Sequence, residues 1–220
     1  VHGVCGDRLA AQLARRLTRG LNLRGTQIVP GAPQPLSGDA LVPPSWMIGR
    51  RAQLANFAAR ARLPADDVFE HSPSADAAAE AILKLVRDSP DPVTILALGP
   101  LSNVARAAQK DPDSFRRKVS SVVFAGESSS PERSICFNGR HDLGALEVLL
   151  HAQVPVVFVG SRSRMRSDDF YALLGAYKVS GSVAAYVISE MAAMRPACII
   201  DDPTAASYIL CPEMFKCERV

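Results

Sequence analysis

"PVTILALGPLSNVARAAQKDP", residues 92–112, decides the fold. Its first part, "PVTILALGP" (92–100), is an apolar run with β-branched residues that ends in a Gly-Pro turn. That composition is the mark of a strand buried on both faces. The second part, "LSNVARAAQKDP" (101–112), switches at once to helical spacing, with Ser102 or Asn103 placed to open the helix. A strand that runs straight into a helix is the repeating unit of a parallel sheet, because the chain must cross back before the next parallel strand can start.

The same unit recurs on both sides. Downstream, "VSSVVFAGE" (119–127) reads as a buried strand, "DLGALEVLLHAQ" (142–153) as a helix and "VPVVFVG" (154–160) as another strand. "SDDFYALLGAY" (167–177) and "GSVAAYVISEMAAM" (181–194) read as helices, "ACII" (197–200) as a short extended piece, and "DPTAASYILCPEMF" (202–215) as the start of a further helix. Upstream, "VHGVCGD" (1–7) reads as a short strand ending in a Gly turn. "RLAAQLARRLTRGL" (8–21) is a helix closed by Gly20, and "TQIVPGAPQPL" (26–36) is a strand running into a Pro-rich loop. Residues 37–49 are loop-like, rich in Gly, Pro and Ser. "AQLANFAARARL" (52–63) is helical, and so is "SPSADAAAEAILKLVRDSP" (72–90), with Ser72 or Ser74 as its cap.

Strand and helix alternate, so the expected fold is α/β: a mostly parallel sheet with helices on both faces, Rossmann-like and three-layered, in a single domain over 1–220. Ligands in such sheets bind beyond the carboxyl ends of the strands. The positions to watch are therefore Asp7, Leu98-Gly99, Gly126-Glu127, Ser161-Arg162 and the acid pair Asp201-Asp202. The chain shows no internal repeat and no dividing linker.

Composition narrows the function classes. The chain has 220 residues, 48% apolar and 21% charged, enough apolar content for a core and too mixed in charge for a disordered chain. The formal net charge is only +3, and the basic clusters (Arg15-Arg16, Arg50-Arg51, Arg116-Arg117-Lys118, Arg162 to Arg166) are spread along the chain. A nucleic-acid binder concentrates them on one face. The five cysteines form no C-x-x-C pair, and an odd count speaks against a disulfide framework and for an intracellular, reducing compartment. No apolar run is long enough to span a bilayer. Residues 8–19, Arg- and Ala-rich without an acid, fit a mitochondrial presequence, although an amphipathic helix is the better reading because a strand-like piece precedes it in a sensible order.

Together with the segments downstream of it, "LALGPLSNVARA" (96–107) resembles the "ALGPLTN" signature of the inosine/uridine-preferring nucleoside hydrolase family. The likeness is collinear from about residue 3 to 215. "DPDSFRRKVSSVVFAGE" (111–127) is similar to the family's "DP…I…VVxMGG" stretch. "FNGRHDLGALEVLLHAQVPVVFVG" (137–160) is similar to its "FN…DPEAA…V…VPVTMV", with Asn138 and Asp142 at the family's spacing, and "DDPTAASYILCPEMF" (201–215) to its "HDPLAVAYLLDPELF". "GVCGDRLAAQLARRL" and "IVPGAPQPL" resemble its first helix and its "VYAGAxxPL" strand. The resemblance implies a nucleoside hydrolase-like fold and hydrolysis of the N-glycosidic bond of ribonucleosides around one Ca²⁺. It implies that Leu98 gives a backbone carbonyl and Asp202 a carboxylate to that ion, and that Asn138 binds the ribose. Asp7 falls at a family Asn position and counts as a substrate-side candidate.

The chain also departs from the pattern. The family's D-x-D-x-x-x-D-D opening strand lies before Val1, and the family continues past the last residue here. Asp201 stands at the family's His position, Cys136 at its Glu, and "SGDALVPPSWMIG" (37–49) has no His where an HGxxG loop is expected. Ca²⁺ takes about six to eight oxygen ligands, so one carboxylate and one carbonyl make only a fragment of a cage. Asp201 reads as a helix cap with Pro203 in the first turn, or as a compensating ligand; metal and structural readings of Asp202 stay level. His141 reads as a solvated loop histidine, Cys136 as a nucleophile without an evident activating partner, and Trp46 as loop packing. "SRSRMRSDD" (161–169) offers three arginines for phosphate, an acidic partner or RNA, with a solvated loop as the default. The resulting expectation is a pseudoenzyme, inactive in catalysis and serving as a structural or interaction subunit with protein partners or a second copy of itself. The alternatives are a Ca²⁺-dependent N-ribohydrolase and a nucleotide- or RNA-contacting protein.

Overall fold

In the computed structural model the strand-turn-helix reading of 92–112 holds, and the sheet is built on it. The structure describes residues 8–37, 52, 56, 74, 76–126, 137–160 and 201–219. The elements are α1 (Arg8–Gly20), α2 (Ala77–Asp88), β1 (Val93–Ala97), α3 (Ser102–Lys110), α4 (Pro112–Lys118), β2 (Val119–Ala125), α5 (Phe137–Arg140), α6 (Leu143–His151), β3 (Val156–Val159) and α7 (Asp201–Leu210), with a 3-10 turn at Pro212–Met214. The helix expected over 52–63 is represented only by Ala52 and Asn56, both helical. The expected elements at 1–7, 167–177, 181–194 and 197–200 lie outside the described residues.

Among the described residues the three strands form one parallel sheet in the order β1-β2-β3. Register puts Ile95 beside Val122 and Ala97 beside Phe124, and then Val122 beside Val156 and Phe124 beside Phe158. Side chains alternate across a strand, so each aligned row faces one layer of helices. On one face Val122 and Phe124 join a core with Leu83 and Val86 of α2, Val104 and Ala105 of α3, Phe115 of α4 and Leu149 of α6. Phe124 and Phe115 are fully buried, each contributing about 1.5–3 kcal/mol relative to exposure. Phe124 meets Phe158 edge-to-face at 6.0 Å, a favoured aromatic geometry. On the other face Val123, Ala125 and Val159 pack with Ala205 of α7, flanked by Tyr208 and Phe215. Helices thus cover both faces, and the fold is α/β as expected.

Several local expectations need correction. α1 is not closed by Gly20. Asn22 takes the left-handed conformation (φ 54°), the Leu23 N–H reaches back to the Thr18 carbonyl at 2.9 Å, and the Asn22 N–H reaches that of Arg19 at 3.0 Å. This is a Schellman closure with asparagine in place of glycine. Residues 26–32 are not a strand among the described residues; Pro30 has no N–H to give a ladder, and the Ala32 N–H is committed to the Asn103 side chain at 2.9 Å. α2 is preceded by Asp76, which makes no side-chain cap bond. Ser74 contributes its carbonyl, to Ala77 N–H at 3.1 Å, rather than its hydroxyl, and Ser72 lies outside the described residues.

β1 is not buried on both faces: Thr94 and Leu96 are exposed, because α7 covers β2 and β3 and leaves that side of β1 open among the described residues. α4 is a separate helix rather than the tail of α3. Asp111 caps it, accepting from Ser114 N–H at 3.0 Å, and Pro112 occupies its first turn. Phe137–Arg140, just before His141, form the short helix α5. The helix at the acid pair begins with Asp201 inside its first turn, not as the residue flanking it.

Candidate functional site

Parallel strands all end on the same side, so the residues after β1, β2 and β3 share one edge of the sheet. The chain leaves β1 at Leu98, which is 41% exposed, and turns through Gly99 and Pro100 into α3. It leaves β2 at Gly126, whose N–H donates to the Val159 carbonyl at 3.0 Å. Asn138, in α5, spans the two ends. Its Nδ2 donates to the Ala125 carbonyl at 2.9 Å and to the Leu98 carbonyl at 3.5 Å. Only the nitrogen of the amide can donate to two carbonyls, so these acceptors fix which way the side chain lies.

Asp202 lies on α7, in the layer over the other face of the sheet. Ala205, one turn further along α7, packs with Ala125 and Val159, the last residues of β2 and β3. Asp202, exposed, lies in the first turn of α7, one turn before Ala205. Of the residues singled out in the sequence, the structure brings Leu98 and Asn138 into direct contact and carries Asp202 on the helix whose Ala205 packs against β2 and β3. Asp201 is the first residue of α7. Asp7, Cys136, Trp46 and Arg162 to Arg166 lie outside the described residues.

A second constellation lies just below this edge. Asp142 is 2% exposed. Its carboxylate accepts from Leu36 N–H at 2.5 Å, Ser102 Oγ at 2.5 Å, Ser37 Oγ at 3.0 Å, Ala145 N–H at 3.0 Å and Ser37 N–H at 3.3 Å. Burial opposes the charge, but the hydrogen bonds from Leu36, Ser102, Ala145 and Ser37 outweigh it and hold the carboxyl below its ordinary range. The strap at 32–37 is tied a second time where Ala32 donates to Asn103. Sequence reasoning marks Asp142 only as a residue at family spacing. Its bond to Ser37 spans 105 positions and leaves no local signal.

His141 corrects an expectation: it is buried, not solvated. Burial, and then the neighbouring Arg140 guanidinium, push its pKa down, so it is neutral at pH 7. His141 lies between α5 and Asp142, the cap of α6.

The donor set can be judged against a calcium ion. Among the described residues no three His, Cys, Asp or Glu side chains stand close enough to share a metal. The edge offers the Asp202 carboxylate and a Leu98 carbonyl already engaged by Asn138. Against about six to eight oxygens for Ca²⁺, these groups do not form a cage. No helix among the described residues is long and apolar enough to cross a membrane.

Comparison with known proteins identifies the lineage. A family model described as "Inosine-uridine preferring nucleoside hydrolase" matches residues 1–220. The pyrimidine-specific ribonucleoside hydrolase RihA of Citrobacter koseri is 24% identical over 233 residues, covering 96% of this chain and 70% of the relative. RihA of Enterobacter sp. is 26% identical over 159 residues, covering 65% of this chain and 50% of that protein. A purine-preferring ribonucleoside hydrolase from Gardnerella vaginalis superposes with a TM-score of 0.72 at 15% identity, covering 94% of this chain and 69% of that one. At that identity the likeness shows a shared fold.

Proposed function

The chain belongs to the inosine-uridine preferring nucleoside hydrolase family, and from that premise we propose that it is a catalytically inactive member, serving as a structural or interaction subunit rather than cleaving nucleosides. The observation that carries this reading is the contact between Asn138 and the Leu98 carbonyl. The resemblance gives that carbonyl to a cation and that amide to a ribose, and here the amide nitrogen lies against the Ala125 and Leu98 carbonyls, at 2.9 Å and 3.5 Å.

The acid pair supports the same reading. Asp201 holds the place where the resemblance puts a histidine. Imidazole, with a pKa of about 6.5, holds a proton that it can pass to a departing base. A carboxyl group in that place is a different group from the imidazole that the resemblance expects there. Protein partners or a second copy of the chain, in a reducing compartment, suit such a subunit, and light scattering on the purified chain reports self-association directly.

The alternative is a Ca²⁺-dependent ribonucleoside N-ribohydrolase. It is favoured by Asp202, whose helix packs through Ala205 against the last residues of β2 and β3. In that case the remaining carboxylates come from residues other than those described. A ribose-release assay with uridine, cytidine and inosine in millimolar CaCl2 separates the two. The first reading expects no release above the buffer rate. Release that scales with protein and is lost in Asp202→Asn overturns it and establishes the second.

A further inference from the structure

Two cross-links join the same two segments of chain. At the strand ends Asn138 Nδ2 donates to the Leu98 carbonyl at 3.5 Å. Four residues further along each segment, Ser102 Oγ donates to Asp142 at 2.5 Å. Leu98 and Ser102 bound the turn that leaves β1. Asn138 and Asp142 bound the stretch that leads into α6. The outer link is long and weak, whereas the inner one is short, buried and charge-assisted. The inner link is therefore the one able to set the spacing.

We propose that Asp142 is the positioning residue of this site: its carboxylate holds the 98–102 turn and the 138–145 stretch at one separation, and so seats Asn138 against the Leu98 and Ala125 carbonyls. The inference rests on reading Leu98 and Asn138 as the site, but not on whether that site turns over a nucleoside. A carboxylate suits the place because it accepts only. Donors from the strap, the turn and the first turn of α6 converge on two oxygens, and the amide nitrogen of an asparagine would face donors instead. The strap residue Ser37 hydrogen-bonds the same carboxylate and Gly144, on the 138–145 side of the link. It is thus a built-in control.

The test is proton exchange of the Asn138 side-chain amide, followed by NMR on the full chain without ligand. Asp142→Asn is expected to speed that exchange about tenfold or more, as loss of a charge-assisted bond implies. Where Asp142→Asn fails to fold, Ser102→Ala is read in its place, with an expected rise of about tenfold, while Ser37→Ala changes it less than about twofold. The backbone amide of Val122, in the sheet centre, is expected to keep its protection in both serine variants. Equal acceleration in the two serine variants, or none in Ser102→Ala, would overturn the proposal and leave Asp142 as a plain structural anchor. No ligand enters the measurement, so its failure is separate from any result of the ribose-release assay.

Discussion

Gly144→Ala gives the sharpest test of the strap's placement, because its sign depends on one neighbour. Gly144 is the second residue of α6, and its N–H donates to Ser37 Oγ at 3.2 Å. A Cβ built on it would lie 2.5 Å from the Ser37 Cβ, nearer than two carbons can approach. In a helix lacking that neighbour, alanine in place of glycine stabilises by up to about 1 kcal/mol. With Ser37 present, overpacking costs about 1–3 kcal/mol, and displacing the strap weakens the Ser37 bonds to Asp142 as well, at about 0.5–1.5 kcal/mol each. The net expectation is a loss of about 1–3 kcal/mol. Replacing Ser37 by Gly removes the obstructing carbon. In that background Gly144→Ala should stabilise, or at worst be neutral. Urea denaturation of the four proteins forms a double-mutant cycle, with the coupling read from the midpoints at constant slope. Additive effects, with Gly144→Ala behaving alike in both backgrounds, would refute the placement of the strap against α6.

The remaining expectations concern the core and its charges. Phe124→Ala removes a fully buried ring that meets Phe158 at 6.0 Å, and should cost about 3–5 kcal/mol in denaturant unfolding. His141 has its pKa lowered by burial and by Arg140, so the unfolded chain takes the proton first. Its contribution is present above a pH of about 6.5 and is lost as pH falls below that value; His141→Asn should flatten the stability profile between about pH 7 and 5 in thermal melts. Asp111 is held down to about 2, first by the Ser114 N–H and then by Arg87. Its contribution is present above the usual carboxylate value and lost as pH falls through about 2, so Asp111→Ala should lower stability at pH 7 and matter little at the acid end of an unfolding series.

How much of the molecule is legible in its sequence depends on how local each signal is. Val119–Ala125 and Val156–Val159 are short apolar runs next to helical periodicity, and both are strands of the sheet. β1 carries the same pattern, yet its residues Thr94 and Leu96 are exposed, because composition cannot say where a strand sits relative to the covering helix. Leu98 and Asn138 lie against each other, with the Asn138 amide nitrogen 3.5 Å from the Leu98 carbonyl. Periodicity alone does not pair them, since 40 positions separate them. The Asp142 cluster is illegible for the same reason, since its donors come from residues 36–37 and 102 as well as from its own helix. Asn22 in place of Gly20 shows a subtler limit. Asparagine also tolerates the left-handed conformation, and the choice between two candidate stops is made by where the last backbone bonds can close.

Calcium calorimetry on the full chain, with and without ribose, tests the central claim most directly. If Asp202 and the Leu98 carbonyl are only a fragment of a cage, titration should give no heat beyond dilution, and ribose should change nothing. Binding in the micromolar range that tightens with ribose and disappears in Asp202→Asn would contradict that account and return the chain to the working hydrolases.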